Sequence, residues 1–152
     1  MIEEKRAGFI AVIGSPNAGK STLINHFIGQ KVTIVTRKVQ TTRSVIRGIC
    51  IHKGSQLVFS DTPGIFEPKR RLDRAMVEAA WGSSSDADII LFLYDAQKSR
   101  IDNETNKILN ELAQSRKKKI LVLNKVDLVE NKILLPLIKN FEGLCSFDAT
   151  FI

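Results

Sequence analysis

Residues 89–94 read Ile-Ile-Leu-Phe-Leu-Tyr, apolar at every position. A strand with one wet face alternates apolar and polar side chains, so a run without alternation predicts a strand buried on both faces. Strands of that kind belong to parallel sheets packed between helices. The rest of the chain fits such a sheet. Shorter apolar runs stand at 9–13 and 120–123, and helical patterns fall at 20–28, 71–83, 102–115 and 132–141, the last expected to be interrupted by Pro136 near its first turns. Segments 44–52 and 56–60 read as extended, and Lys53-Gly54-Ser55 between them reads as a tight turn, which predicts an antiparallel hairpin. Residues 150–152 read as the start of another strand. The expected fold class is therefore α/β: a mostly parallel sheet with helices on both faces and one antiparallel edge strand. Ligands of such sheets sit beyond the carboxyl ends of the strands, so chemistry should follow the apolar runs.

It does so first at Gly14-Ser15-Pro16-Asn17-Ala18-Gly19-Lys20-Ser21, which fits GxxxxGK[ST] between a strand and a helix. Glycines let the chain fold around an anion, successive amides point inward at a β-phosphate, and the helix N-terminus adds positive potential. Lys20 is expected to reach the β- and γ-phosphates, Ser21 to place its hydroxyl on Mg²⁺, and Thr22 to lie near the α-phosphate. Average composition yields such a match by accident about once or less in a hundred chains of this length.

The second site follows the hairpin, at Asp61-Thr62-Pro63-Gly64. Asp61 at a strand end can hold Mg²⁺ through a water, and Gly64 can present its amide to a γ-phosphate. Alone this tetrapeptide is most often a turn. The third, Asn124-Lys125-Val126-Asp127, follows the run 120–123. Asp127 can accept from N1–H and the 2-amino group of guanine, whereas adenine has neither donor and would leave the carboxylate unpaired. The Lys125 stem can lie along the base, and Asn124 can tie this loop to the phosphate loop. Alone this motif reads as a surface loop; in third place behind the other two it selects guanine. Between the first two motifs, residues 30–43 are polar and basic, a stretch that a γ-phosphate and Mg²⁺ could order. Thr42 is the chosen metal-shell hydroxyl, with neighbouring Thr41 left open.

Composition narrows the setting. The 152 residues are 43% apolar and 26% charged, an ordinary globular mix for one domain. The net charge of +7 favours a polyanionic partner or is simply a solvated surface. The clusters Lys69-Arg70-Arg71 and Arg116-Lys117-Lys118-Lys119 pose the same choice between RNA contact and solvation. Cys50 and Cys145 have no spacing that suggests a disulfide framework or zinc site, and Cys50 reads as a small buried hydrophobe. His26 and His52 read as structural or surface residues, and Trp81 and Tyr94 as packing residues. No segment approaches the ~20 apolar residues of a membrane span, and the N-terminus lacks the pattern of a signal peptide, so the expected address is the cytoplasm.

The phosphate loop, Thr42, Asp61-Thr62-Pro63-Gly64 and Asn124-Lys125-Val126-Asp127 together resemble the translation-factor-related P-loop GTPases. The form GxPNxGKS, with Asn17, resembles the branch that holds the Era family, the tRNA-modification GTPase and the double-GTPase-domain ribosome factor. Gly29-Gln30-Lys31-Val32, Arg37-Lys38-Val39-Gln40-Thr41-Thr42-Arg43 and Ala75-Met76-Val77-Glu78-Ala79-Ala80 resemble the Era family in particular. Ser15 stands where that family commonly has Arg, and Ala18 where Val is common. The resemblance implies a small-GTPase-like P-loop fold, GTP and GDP as ligands, Mg²⁺, and slow hydrolysis of GTP. It implies catalytic roles for Lys20, Asn17, Thr42 and Gly64. Ile65 occupies the position where many GTPases carry a water-orienting Gln. The resemblance substitutes a K⁺ ion held near the phosphates by Asn17. It also implies a small-ribosomal-subunit and 16S rRNA partner reached mainly through a KH domain, a monomeric state, and a cytoplasmic address, with peripheral contact at the inner membrane face left open. The family's last guanine-contacting loop, terminal helix and KH domain are expected to lie beyond residue 152; no two glycines here have the spacing of a KH GxxG loop. A guanine-nucleotide module with little turnover and a related ribosome or tRNA-modification GTPase are the alternative readings.

Overall fold

The computed structural model describes residues 6–29, 46–62 and 71–152. Six strands form one sheet in the order β2-β3-β1-β4-β5-β6. They are β1 (Ala7–Ile13), β2 (Ile46–His52), β3 (Ser55–Asp61), β4 (Ile89–Asp95), β5 (Lys118–Asn124) and β6 (Ala149–Phe151). All neighbours run parallel except β2, which pairs antiparallel with β3 at one edge. The expected fold class is the observed one.

The run 89–94 lies at the centre because its two sets of side chains serve two cores. Leu91 and Leu93 point to the side of helix α1 (Lys20–Ile28), where they join Val12, Phe59 and Ile24. Ile90, Phe92 and Tyr94 point the other way, into a larger core. Ala80 reaches that core from α2 (Arg71–Asp86), Leu109 and Leu112 from α3 (Asn103–Gln114), and Leu137 and Phe141 from α4 (Leu134–Leu144). Phe141 meets Tyr94 edge-on at 4.8 Å between ring centroids and Phe92 at 6.0 Å, the aromatic geometry that ring quadrupoles favour. Trp81 packs against the same core.

Several boundaries differ from expectation, each for a local reason. The hairpin turn is two residues, Lys53-Gly54, with φ of 47° and 75°, and Ser55 already belongs to β3. Two left-handed residues match the twist of the paired strands. Pro136 does not interrupt its helix. It is the third residue of α4, after a 3-10 turn at Asn131–Ile133, where an amide has no intrahelical acceptor to lose. Helix α2 runs past Ser83 to Asp86 despite poor helix formers, because the Lys117 ammonium caps the carbonyls of Ser85 and Ala87. Lys119 is also turned inward, its ammonium donating to Ser115 O at 2.7 Å. Of the expected basic cluster 116–119, therefore, only Arg116 and Lys118 face solvent fully. Cys50 is partly rather than fully buried, and β5 alternates buried and half-buried positions instead of being buried throughout. His26 and His52 are exposed.

Two aspartates fasten strand entries. Asp88, just before β4, accepts from Phe9 N at 2.8 Å, and Asp148, just before β6, accepts from Lys119 N at 2.8 Å. Strand β1 sits where the order turns from β3 on one side to β4 on the other. That switch point places the loop after β1 in an open crevice at the carboxyl edge.

Candidate functional site

The loop 14–19 leaves β1 and enters α1 through Gly19, whose φ of 101° makes a left-handed N-cap without a side-chain hydrogen bond. The first turn of α1 carries no acidic residue. Its leading amides supply the partial positive charge that a phosphate would match. The glycines are sterically required. A Cβ on Gly14 would collide with the Leu93 carbonyl oxygen, and one on Gly19 with the Asn124 side-chain nitrogen. Asn17 is also left-handed, at φ 61°, and exposed.

Lys20 folds back over the loop, its ammonium donating to Ser15 O at 3.0 Å and Gly14 O at 3.3 Å. Only 6% of the residue is exposed. Burial pushes its pKa down to about 8, and the carboxylate of Asp61 works against that shift. A buried cation held by carbonyls at the mouth of an amide-lined loop is poised for an anion with several oxygens.

Ser21 and Asp61 converge from α1 and β3: Ser21 Oγ donates to Asp61 Oδ2 at 2.5 Å. Asp61 is fully buried. A hydroxyl and a carboxylate side by side, both hard oxygen donors, fit Mg²⁺, which takes one or two protein oxygens and completes its shell with phosphate and water. The Thr62 hydroxyl donates to Val12 O at 2.7 Å, so the side chain fastens the end of β3 to β1.

The loop after β5 reaches the same crevice. Asn124 Nδ2 donates to Ala18 O at 2.9 Å, bridging the two loops. Lys125, left-handed at φ 59°, donates to Asn17 O at 2.8 Å. A 3-10 turn, Val126–Leu128, then presents Asp127 to solvent, while Val126, half-buried, packs against the larger core. Ser15 and Ala18 are buried in the loop, Pro16 is half-buried, and Thr22 is exposed on the first turn of α1. The structure thus gathers residues 14–22, Asp61, Thr62 and 124–127 at one edge of the sheet. Thr41, Thr42, Pro63, Gly64, Ile65, Lys69 and Arg70 lie outside the described residues.

Two participants escaped the sequence reading. Asp95, the last residue of β4, pairs with Lys125 at 2.6 Å. Lys98, in the 3-10 turn Ala96–Lys98, reaches Ser15 Oγ at 3.4 Å and Asp102 at 3.3 Å. The signal for Asp95 was present: it is the first polar residue after the most apolar strand, where ligands of such sheets gather.

Residues 9–125 match the family model described as 50S ribosome-binding GTPase. The chain belongs to that GTPase family. Within the family it is similar to GTPase Era of Brucella melitensis, 56% identical over 149 residues, which is 98% of this chain and 48% of the relative. The chain therefore spans about half the length of the curated relatives it matches. Among solved structures it resembles Era in complex with MgGDPNP and nucleotides 1506–1542 of 16S ribosomal RNA. That likeness has a TM-score of 0.88 and 36% identity, over 98% of this chain and 51% of that one. A variant of Aquifex aeolicus Era bound to GDP·AlF4⁻ gives 0.86 and 37%, over 97% and 51%. The crevice of this GTPase domain is the one assembled above, at the carboxyl ends of β1, β3 and β5.

Proposed function

We propose that the chain binds GTP with Mg²⁺ and hydrolyses it to GDP and phosphate, serving as the switch domain of an Era-type protein that acts on the small ribosomal subunit. The observation that carries this reading is the joining of three loops far apart in sequence, by Ser21 to Asp61 and by Asn124 to Ala18, around the buried ammonium of Lys20.

Phosphoryl transfer asks mainly for positioning and for charge stabilisation. In this reading the amides of the loop 14–19 and of the first turn of α1 hold the β-phosphate. Lys20 turns from its two carbonyls to the β- and γ-oxygens. Ser21 and Asp61 hold Mg²⁺, which when bound neutralises charge developing on the phosphate oxygens. Asp127, exposed on its turn, accepts from the guanine edge, and the Lys125 stem lies beside the base. Thr42 and Gly64 are assigned to the γ-phosphate side, and Asn17 to a K⁺ ion, as the family resemblance implies. Relatives solved with MgGDPNP and with GDP·AlF4⁻ support the choice of nucleotide, and the 16S rRNA complex supports the ribosomal partner and with it a cytoplasmic address. No helix among the described residues is long and apolar enough to cross a membrane.

A phosphate-release assay on the purified chain tests the reading. GTP with Mg²⁺ should yield phosphate, and a Lys20→Ala variant should be silent. Equal signals from the two would contradict it, and turnover no faster in K⁺ than in Na⁺ would remove the role given to Asn17.

A further inference from the structure

Asp95 touches neither the phosphate loop nor the base-reading turn as a ligand would, yet it holds both. One carboxylate oxygen accepts from Gln97 N at 3.0 Å and so caps the 3-10 turn that follows β4. The other accepts from the Lys125 ammonium at 2.6 Å. The same ammonium donates to Asn17 O, inside the phosphate loop. Asp95 is thus the inner end of a chain that runs through Lys125 to the loop after β1. Register supports the arrangement, because Asp95 lies directly opposite Asn124 on β5 and the two loops leave the sheet side by side. The Asp95 side chain is 13% exposed and that of Lys125 30%, so solvent screens this pair less than an ion pair on open surface. The turn that Asp95 caps adds a second arm, carrying the Lys98 ammonium to Ser15 Oγ.

From this we infer that Asp95 is a positioning residue for nucleotide: it locks the Lys125 ammonium onto the phosphate loop and thereby couples base recognition to phosphate binding. The inference rests on the nucleotide reading above. Without Asp95, Lys125 would keep a single carbonyl acceptor on an exposed loop, and its stem would lose the fixed line on which a base can lie. A charge-assisted hydrogen bond lost from such a link should weaken GDP binding by about tenfold.

A double-mutant cycle in GDP affinity tests it on the 152-residue chain, with fluorescently labelled GDP as the probe and unfolding of the nucleotide-free protein measured alongside. Asp95→Asn keeps the cap acceptor and removes the charge. Lys125→Met keeps the apolar stem and removes the ammonium. Each should raise the GDP dissociation constant about tenfold, the double variant should be little worse than either single one, and the unfolding temperature should move little. Losses that multiply in the double variant would overturn the coupling, as would a loss of affinity that tracks a fall in unfolding temperature. Should Asp95→Asn fail to fold, Lys125→Met decides, and unchanged GDP affinity there overturns the proposal. A wild-type chain that takes up no GDP would overturn the nucleotide reading itself, a result distinct from multiplying losses in a chain that binds.

Discussion

Ser21 and Asp61, 40 positions apart in sequence, meet in a 2.5 Å hydrogen bond between the first turn of α1 and the last residue of β3. The bond exists because β1 and β3 are parallel neighbours, with Val12 opposite Asp61, so that the loop after β1 and the end of β3 open on one crevice. Two oxygens held this way would suit the protein side of a magnesium site, one third at most of its six positions, and the contact is the most direct structural link between fold and proposed chemistry. Ser21→Ala should raise the Mg²⁺ concentration for half-maximal GTP hydrolysis by about tenfold or more. Chelation of the metal should reduce phosphate release to background in the wild type. A variant with an unchanged metal requirement would remove Ser21 from the shell.

Asn124 makes the second bridge. Asn124→Ala removes the donor to Ala18 O and leaves that carbonyl without its side-chain partner. The cost should be about 1–2 kcal/mol of stability by urea denaturation. GDP affinity should fall with it, because the phosphate loop loses its tie to β5.

Gly14→Ala should act on the loop more than on the sheet. The added methyl would drive against the Leu93 carbonyl oxygen, and backbone on both sides leaves little room to yield. Nucleotide binding should be lost in calorimetry, while far-ultraviolet circular dichroism keeps its mixed helix and strand signature. Phe141→Ala is the contrasting case, far from the crevice. It should cost about 3–5 kcal/mol, because the ring is fully buried against Phe92 and Tyr94.

Much of this was legible from residue types. The apolar run 89–94 implied a strand serving two cores, and the helical pattern 102–115 is observed as Asn103–Gln114, its expected first residue Asp102 serving as the N-cap that accepts from Thr105 N at 2.8 Å. The phosphate loop was legible because its glycines and Lys20 have one physical use in that context. What was not legible depends on partners distant in sequence. Lys117 and Lys119 read as part of a cluster open to RNA contact or to solvent, yet one caps α2 and the other folds onto Ser115. Thr62 stood in the second motif with no role of its own, and only the neighbouring β1 shows that its hydroxyl donates to Val12 O. The place of Asp95 at the end of the apolar run is legible, but its partner is not, because Lys125 lies 30 positions away.

Tyr94 offers a test of the larger core by pH. Burial, with the nearby carboxylates of Asp102 and Asp95, pushes its pKa up to about 12. The protonated phenol is favoured in the folded state, so its contribution is complete below about pH 10, the ordinary tyrosine value. That contribution is lost as pH rises from there through 12. Tyr94 is the only tyrosine, so phenolate absorbance near 295 nm reports it alone. The midpoint should lie near 12 and coincide with alkaline unfolding; a midpoint near 10 in the folded chain would contradict the buried hydroxyl, which donates to Arg100 O at 2.6 Å.

The most direct test of the central claim is equilibrium titration of the purified chain with labelled GDP and labelled ADP in the presence of Mg²⁺. GDP should bind about a hundredfold or more tightly than ADP, since adenine leaves Asp127 without donors. Equal affinity for the two, or uptake of neither, would contradict the account.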